Sequence, residues 1–355
     1  MNPNHITTAM IDNIAEHKIS EMAKNPKKVL KELLHFSAYF SNARFKVPIS
    51  SIIQYLLLNE DSQYYTLIRH LLTNTSHSAI KNLGINIGYN SWTKGAQTIR
   101  ETSQKTGYCI PWILIFNWNP ASSCGLTIDV IEQFIQDANQ MGIYSFCIRQ
   151  ETSHPISGEI FNLFSNHPDS TFFWFLPNQL LAPAYLNMIR SSENVLAILN
   201  GDGSFCQQNA SGLSDRNSLY GISYSYDSFP ESQTNDSWLT YYDSYHSPLI
   251  VMTPDNSCDI QIQKQMASYV HESRLKQRYP YLLWDLYSDI RRISQIITGE
   301  DCCMEIASDG HLIYPKVNAP FQTQPRLNWY LAASMPSIIS SGYDQPVNLH
   351  NKLAF

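Results

Sequence analysis

Polar and ionisable side chains recur where the apolar, strand-length runs of this sequence end. The set comprises Arg149, Gln150, Glu151, His154, Asn178, Asp202 and Asp285. His154 with Glu151 or Asp202 has the residue types of an acid–base pair or a metal site, because imidazole and carboxylate groups both exchange protons and ligate metals. The spacing is unspecific, and a histidine beside a proline is usually structural. These residues are therefore predicted to bind a ligand, and none is predicted to be catalytic.

The elements that must position these residues form strand–helix repeats. Ile110–Phe116 is an apolar run of strand length, and Thr127–Gly142 has an N-cap threonine, helical apolar spacing and a closing glycine. A second apolar run, Ile143–Ile148, follows at once. Strand, helix and strand in this order predict a βαβ unit and an α/β fold with a parallel sheet.

The pattern continues between a helical start and a hairpin. Further strands are predicted at 171–176, 194–200, 219–226 and 248–254. Residues 1–90 carry apolar side chains at helical spacing, and Ser308-Asp309-Gly310 between two strand-like runs predicts a hairpin. The expected domains are a helical domain at 1–95, a barrel-like domain at 96–295, and a hairpin with a C-terminal arm at 296–355.

The charge balance limits the partners. A net charge of −6 at pH 7 argues against nucleic acid, because no basic excess is available to replace its counterions. The sequence shows no charged-then-apolar signal segment at its start, and no uninterrupted apolar run approaches the roughly 18 residues that indicate a membrane span. The expectation is a cytoplasmic protein with no membrane contact.

The cysteines are numerous but scattered. The chain has seven, and no Cys-x-x-Cys pair occurs. Iron–sulfur and structural zinc sites normally need such clustered ligands. Cys109 and Cys147 lie in or beside apolar runs and are interpreted as small buried hydrophobic residues, as are the adjacent Cys302 and Cys303. No metal site is predicted.

The first βαβ unit nevertheless resembles that of the radical S-adenosylmethionine (SAM) enzymes. In that family the turn after the first strand carries Cys-x3-Cys-x2-Cys, whose three thiolates hold a [4Fe–4S] cluster. Here Asn119-Pro-Ala-Ser-Ser-Cys124 is similar to the approach to the first of those cysteines. The other two and their loop are missing, since the sequence passes from Cys124 straight into the predicted helix. The resemblance makes Cys124 a vestigial cluster residue.

Other landmarks of the family are altered as well. Gln150-Glu-Thr-Ser153 stands where the family has the Gly-Gly-Glu-Pro that holds the SAM amino group, and Leu176-Pro-Asn-Gln179 stands where it has Thr-Asn-Gly. The hairpin resembles the SPASM or twitch hairpin of members with an auxiliary cluster, but Lys316 replaces the cysteine ligand. The resemblance implies a partial (β/α)6 barrel of the TIM type, with a helical N-terminal extension, that has lost both the [4Fe–4S] cluster and SAM.

Three functions follow from this resemblance and from the residues. The first is a catalytically inactive, radical SAM-like pseudoenzyme that serves as an accessory, scaffold or substrate-binding subunit. Its expected partner is an active radical SAM homologue or a peptide substrate. The alternative is an enzyme that uses the barrel mouth, either with unusual cluster ligands or for a non-radical reaction on a peptide or small molecule. The third is a binding module whose old substrate cavity is open or is filled by aromatic residues such as Trp118 and Trp174.

Overall fold

The computed structural model describes residues 3–32, 53–121, 125–151, 158–229, 237–314 and 322–323. Two compact units are present. The N-terminal unit contains Met1–Ile85 and Asn178–Leu286, and the C-terminal unit contains Asn86–Pro177 and Tyr287–Phe355. The three predicted domains are continuous in sequence, whereas each compact unit is assembled from two separate segments. The boundaries at 95 and 295 therefore stay a prediction.

The described elements alternate between helix and strand after the first hundred residues. The α-helices are α1 (Pro3–Lys24), α2 (Gln63–Asn74), α3 (His77–Gly84), α4 (Ala96–Thr106), α5 (Ile128–Gln140), α6 (Glu159–Asn166), α7 (Pro183–Ser191), α8 (Cys206–Ser214), α9 (Ser237–Thr240), α10 (Ile260–Lys276) and α11 (Leu286–Thr298). The strands are β1 (Ile113–Trp118), β2 (Ser145–Gln150), β3 (Thr171–Phe175), β4 (Val195–Asn200), β5 (Tyr220–Tyr226), β6 (Leu249–Pro254), β7 (Leu282–Asp285), β8 (Met304–Ile306), β9 (Leu312–Tyr314) and β10 (Gln322–Thr323).

Parallel pairing dominates in both units. In the C-terminal unit β1 lies between β2 and β8 and pairs in parallel with each, and β2 pairs in parallel with β3. In the N-terminal unit β4, β5, β6 and β7 pair in parallel in that order. Successive parallel strands joined by helices are the repeats from which a partial (β/α) barrel is built. The predicted α/β fold class is confirmed.

The predicted helical region at the start of the chain is also confirmed for the residues that the structure describes there. Helices α1, α2 and α3 lie within the predicted region, and residues 26–32 and 53–58 are helical too. Among the described residues, no helix is both long enough and apolar enough to cross a bilayer.

Local sequence accounts for the boundaries of α5. The Thr127 hydroxyl accepts a hydrogen bond from the Val130 backbone N–H at 3.4 Å, which caps the first turn. The apolar side chains of α5, including Ile131 and Phe134, are buried. Gly142 ends the helix with φ +96°, a left-handed conformation that a side chain would strain. The predicted cap and stop residues are therefore correct.

The two faces of β1 and β2 have different surroundings. Phe116 on β1 stacks on Phe134 of α5 and on Phe146 of β2, with ring centroids 6.5 and 6.1 Å apart. Side chains alternate along a strand, so Asn117 and Arg149, which are paired in register, project from the opposite face. Trp174 packs against Phe161 of α6 with centroids 5.6 Å apart, so its ring belongs to the helix-covered side.

The hairpin extends the sheet beside β1. Met304 of β8 pairs with Leu114, and β8 and β9 are antiparallel. The turn between them is closed by a hydrogen bond from the Gly310 N–H to the Ala307 carbonyl at 2.9 Å. The predicted hairpin is confirmed. Lys316 and nearly all of the predicted arm lie outside the described residues.

A π-helical segment, Ile85–Gly95, lies directly before α4. Asn90 donates to the Asp169 carbonyl at 2.9 Å, and Asn86 donates to the Ser170 carbonyl at 3.0 Å. Both asparagines are buried. Buried amide side chains of this kind satisfy backbone carbonyls, so this segment anchors the turn that leads into β3.

Candidate functional site

Four polar side chains meet where β1, β2 and β8 end, and we call them the strand-end network. Its members are Asn117, Arg149, Tyr287 and Glu305. Arg149 Nη1 donates to Tyr287 Oη at 2.9 Å and to Glu305 Oε1 at 3.3 Å. Tyr287 Oη donates to Glu305 Oε2 at 2.7 Å, and Asn117 Nδ2 donates to Glu305 Oε1 at 2.5 Å. All four residues belong to the C-terminal unit.

The strand register brings this network together. Ile115 of β1 pairs with Glu305 of β8, and Asn117 pairs with Arg149 of β2. Residues two apart on a strand share a face, so the side chains from all three strands project on the same side. Tyr287, near the start of α11, completes the cluster. The network is thus built from positions more than 180 residues apart, as in the Asn117–Glu305 hydrogen bond.

Burial and neighbouring charges act on two members of the network, Arg149 and Tyr287. Burial opposes the charge on Arg149, but Tyr287 and Glu305 outweigh it and raise the pKa of the guanidinium above its usual value. Burial also raises the pKa of Tyr287 well above its usual value, and the Glu305 charge adds to that shift. Arg149 therefore stays cationic and Tyr287 stays a neutral donor. Glu305 accepts three hydrogen bonds, which fills most of the roughly four acceptor sites of a carboxylate.

The thiols are the candidate ligands for an iron–sulfur cluster. Every described cysteine is buried, and none of the described cysteines forms a disulfide bond. Burial raises the pKa of Cys147 and Cys303, and it raises the pKa of Cys206 and of Cys258 to about 11. No group of three or more His, Cys, Asp or Glu side chains that could hold a metal occurs among the described residues.

The turn after β1 offers no better ligand set. It contains one cysteine in the sequence, Cys124, which lies outside the described residues. A [4Fe–4S] cluster of the kind expected from the resemblance needs three clustered thiolates. The turn after β1 therefore supplies one cysteine where that cluster needs three.

A second candidate site lies in the N-terminal unit, and we call it the aromatic cleft. It has a volume of about 470 Å³, within the range of small-molecule pockets. Its aromatic walls are Tyr224, Trp238, Tyr241, Tyr242 and Tyr245. Asp202, Ser204 and Gln207 supply polar groups. Asp202 is the one formally charged residue of the lining, so the cleft carries a negative charge.

The segment Tyr241–Tyr245 is a 3₁₀ helix, and its geometry arranges the rings. With three residues per turn, Tyr242 and Tyr245 eclipse one another and both are buried. Tyr241 stays 62% exposed. Its ring centroid lies 5.5 Å from those of Tyr242 and Tyr245, and its hydroxyl accepts a 2.7 Å hydrogen bond from the Tyr245 hydroxyl. These contacts hold the Tyr241 ring in place at the rim of the aromatic cleft.

The inner wall comes from β5 and α9. Tyr224 of β5 contacts Trp238 with ring centroids 5.1 Å apart and Tyr242 with centroids 6.2 Å apart. The Trp238 Nε1–H is buried and has no hydrogen-bond partner among the described residues. Buried donors without partners are uncommon in proteins. The inner wall therefore holds one unused donor.

A tight turn after β4 presents Asp202 to this cleft. The Asp202 N–H donates to the Asn200 side-chain oxygen at 3.1 Å. Gly201 lies so close to β5 that a Cβ there would sit 2.4 Å from the Ser223 carbonyl oxygen. Partial burial raises the pKa of Asp202 above its usual range, the nearby charge of Asp255 adds to the shift, and a backbone hydrogen bond from Ser225 offsets part of it.

The residues predicted from the sequence have varied surroundings. Arg149 belongs to the strand-end network, whereas Gln150 is buried on the face shared with Trp118, and Glu151 is exposed. His154 and Cys124 lie outside the described residues. These placements leave the predicted acid–base pair of His154 with Glu151 or Asp202 untested.

The remaining predicted residues belong to the N-terminal unit. Asn178 is exposed beside Gly203, where a Cβ on the glycine would lie 2.5 Å from the Asn178 side-chain oxygen. Asp202 borders the aromatic cleft. Asp285 is buried and accepts a hydrogen bond from the Tyr226 hydroxyl at 3.2 Å. Within this unit, Asp202 is the predicted residue that lines the cleft.

Sequence reasoning missed two contributors to these sites. Glu305 lies in a three-residue strand, and no local pattern indicates that it faces Arg149. Trp238 follows a polar stretch and lies in a helix of four residues. The aromatic run Tyr241–His246 is a sequence feature that could point to the cleft, because rigid aromatic side chains are typical of recognition surfaces.

Comparisons with known proteins find similarity in structure alone. No protein-family profile matches the sequence, and no curated protein does so either. Crystal structures of SuiB from Streptococcus suis are similar to this chain. The SuiB structure bound to S-adenosylmethionine is 12% identical, covers 81% of this chain and 82% of its own, and gives a TM-score of 0.48. The SuiB structure bound to the precursor peptide SuiA is 12% identical, covers 81% and 83%, and gives a TM-score of 0.46.

Proposed function

We propose that this protein is a catalytically inactive relative of the radical SAM enzymes. In this proposal it acts as an accessory or substrate-binding subunit, and its partner is an active radical SAM homologue or that enzyme's peptide substrate. The proposal rests on the sequence resemblance for the family. It rests on the chemistry of the strand-end network and of the thiols for the loss of activity.

The strand-end network is the observation that carries the proposal. Its cation, carboxylate, phenol and amide satisfy one another, and Glu305 is 4% exposed. A buried ion pair is costly to open, because each separated charge loses its partner without regaining water. Polar groups that are committed to one another in this way are poor ligands for a cofactor or a reacting substrate.

The thiols support the same conclusion. Reductive cleavage of SAM needs electrons from an iron–sulfur cluster, and that cluster needs thiolate ligands. The thiols of Cys206 and Cys258, with pKa values of about 11, are protonated at neutral pH. The single cysteine of the turn after β1 cannot replace three. We therefore derive no catalytic step through a cluster or through SAM.

Anaerobic reconstitution tests the proposal. The purified chain is incubated with iron and sulfide, desalted, and assayed for bound iron, for acid-labile sulfide and for the visible absorbance of iron–sulfur charge transfer. Cys124→Ala is the test variant, and Cys258→Ala is the matched control because Cys258 lies in the other unit, near α10. The expected result is the same low background of iron for all three proteins.

A different result would identify an active enzyme. Roughly four iron atoms per chain, lost in Cys124→Ala and retained in Cys258→Ala, would mean that a [4Fe–4S] cluster forms with ligands gathered from elsewhere. If the background result is obtained, affinity purification from the native cells tests the accessory role. The expected partner is then a protein that carries an intact Cys-x3-Cys-x2-Cys motif.

A further inference from the structure

We infer that the aromatic cleft binds a small organic cation of the quaternary or alkylated ammonium class. The rings of Tyr224, Trp238 and Tyr241 would contact the cationic group, and the carboxylate of Asp202 would balance its charge. This inference is independent of the proposed function, because every residue that lines the cleft lies within 201–245 of the N-terminal unit.

The composition of the lining selects for positive charge. Aromatic faces carry a negative electrostatic potential and attract ammonium groups, by about 0.5–2 kcal/mol for each contact. None of the described residues that line the cleft is a lysine, arginine or histidine. Asp202 therefore has no cationic partner in the lining, and the negative charge of Asp255 lies near it. An anionic ligand would meet unfavourable charge here, whereas a cation would relieve it.

Packing alone does not account for the cleft. Tyr242 and Tyr245 are buried and serve as ordinary core residues. Tyr241 contacts both of them yet keeps 62% of its surface exposed, so its ring remains accessible to a ligand in the cleft. The open volume of about 470 Å³ beside these rings is large enough for a quaternary ammonium group and the rest of a small ligand.

The polar groups of the cleft narrow the class of ligand further. The Trp238 Nε1–H is buried without a partner among the described residues, and Ser204 and Gln207 add hydroxyl and amide groups to the lining. Such groups suit a ligand that carries an oxygen acceptor close to its cationic centre. Choline has both features and is the probe we would use.

Titration calorimetry of the full chain tests the inference with two ligands. The first is choline, and the second is its neutral isostere, in which a quaternary carbon replaces the nitrogen. The two have the same shape, so a hydrophobic cleft would bind them equally. We expect saturable binding of choline and binding of the isostere that is weaker by roughly tenfold or more.

Three variants assign the binding to the cleft. Asp202→Asn removes the charge, Tyr241→Ala removes the rim ring, and Asp215→Asn is the control because Asp215 is an exposed carboxylate outside the lining. We expect Asp202→Asn and Tyr241→Ala each to bind choline roughly tenfold more weakly than the wild-type protein. The control, Asp215→Asn, should bind choline as tightly as the wild-type protein does. Circular dichroism and melting curves establish that each variant folds.

The inference is overturned by any of three results. Choline shows no saturable binding to the wild-type protein, the neutral isostere binds equally well, or Asp202→Asn binds choline as tightly as Asp215→Asn does. The first two results require no variant, so a variant that fails to fold cannot protect the inference.

Discussion

The strand-end network and the aromatic cleft each contain one carboxylate among hydroxyl and aromatic groups, and they differ in what satisfies that carboxylate. Glu305 accepts hydrogen bonds from three side chains and pairs with Arg149. Asp202 accepts a backbone hydrogen bond from Ser225 and lies near a second carboxylate, Asp255. The first arrangement is complete without a ligand, whereas the second keeps a charge available for one.

Internal partners of a charged group distinguish structural from functional polar residues in this fold. A buried charge with internal partners stabilises the arrangement around it, and removing one partner is expensive. A carboxylate whose pKa is raised in the folded state is held there at some cost to stability, which is typical of binding sites. The same substitution, carboxylate to amide, should therefore lower the stability at Glu305 and leave it nearly unchanged at Asp202.

The largest expected effect is on stability at the strand-end network. Glu305→Gln leaves the Arg149 guanidinium without its counter-charge, and we expect a loss of about 3 kcal/mol in the free energy of unfolding. This is the low end for buried pairs, because 29% of the Arg149 side chain is exposed. Urea unfolding measures the loss.

An exposed ion pair provides the control for this substitution. Glu272 lies 3.5 Å from Lys276 on α10, and more than half of each side chain is exposed. Glu272→Gln should change the free energy of unfolding by less than about 0.5 kcal/mol. Equal losses for Glu305→Gln and Glu272→Gln would mean that the network has no structural role.

The matched substitution in the cleft should leave stability intact. Because the pKa of Asp202 is raised in the folded protein, its ionised form is slightly unfavourable at neutral pH. Asp202→Asn should therefore leave the melting temperature unchanged or slightly higher. A clear decrease, comparable with that of Glu305→Gln, would make Asp202 a structural residue and would end the contrast between the two regions.

The pH dependence of choline binding should follow Asp202. Lowering the pH protonates the carboxylate and removes the charge that attracts the cation, so the affinity should fall as the pH drops through a pKa that lies above the usual 3.8. Asp255, Cys206, Tyr224 and Tyr242 interact electrostatically with Asp202. A calorimetric pH series measures the profile. Asp202→Asn should flatten it, and a profile that survives in this variant would assign the titration to another group.

The smallest expected effect concerns thiol reactivity. Burial raises the pKa of Cys206 and of Cys258 to about 11, and it raises that of Cys303 to about 12 and that of Cys147 further. In alkaline buffer a thiol reagent should therefore label Cys206 and Cys258 before Cys147 and Cys303, as followed by mass spectrometry. The reverse order would mean that the region around the network opens more readily than the region around the cleft.

Sequence patterns anticipated the local elements well. Helix α5 is capped by Thr127 and ends before Gly142, as the sequence predicts. Helix caps and left-handed glycines depend on only a few neighbouring residues, so local sequence is enough to predict them. The apolar run predicts that β1 begins at Ile110, whereas the strand begins at Ile113. Pro111 has no backbone N–H to give to a ladder, and that explains the later start.

The sites were harder to anticipate, because distant strands build them. Glu305 meets Arg149 through the parallel pairing of β8 with β1, which no local pattern reveals. Tyr224 reaches Trp238 and Tyr242 because β5 projects it toward the segment that follows. Asp202 follows a strand-length run and is predicted from that place to bind a ligand. It lines the aromatic cleft, and its ligand-binding role stays a prediction.

The most direct test of the central claim, that the chain lacks radical SAM chemistry, is an assay for SAM cleavage. The chain is treated anaerobically with iron and sulfide, mixed with SAM and a strong reductant, and the loss of SAM is followed by chromatography. The account predicts no loss beyond that of a protein-free control. Sustained SAM cleavage that disappears in Cys124→Ala would contradict it and would establish this chain as an active enzyme.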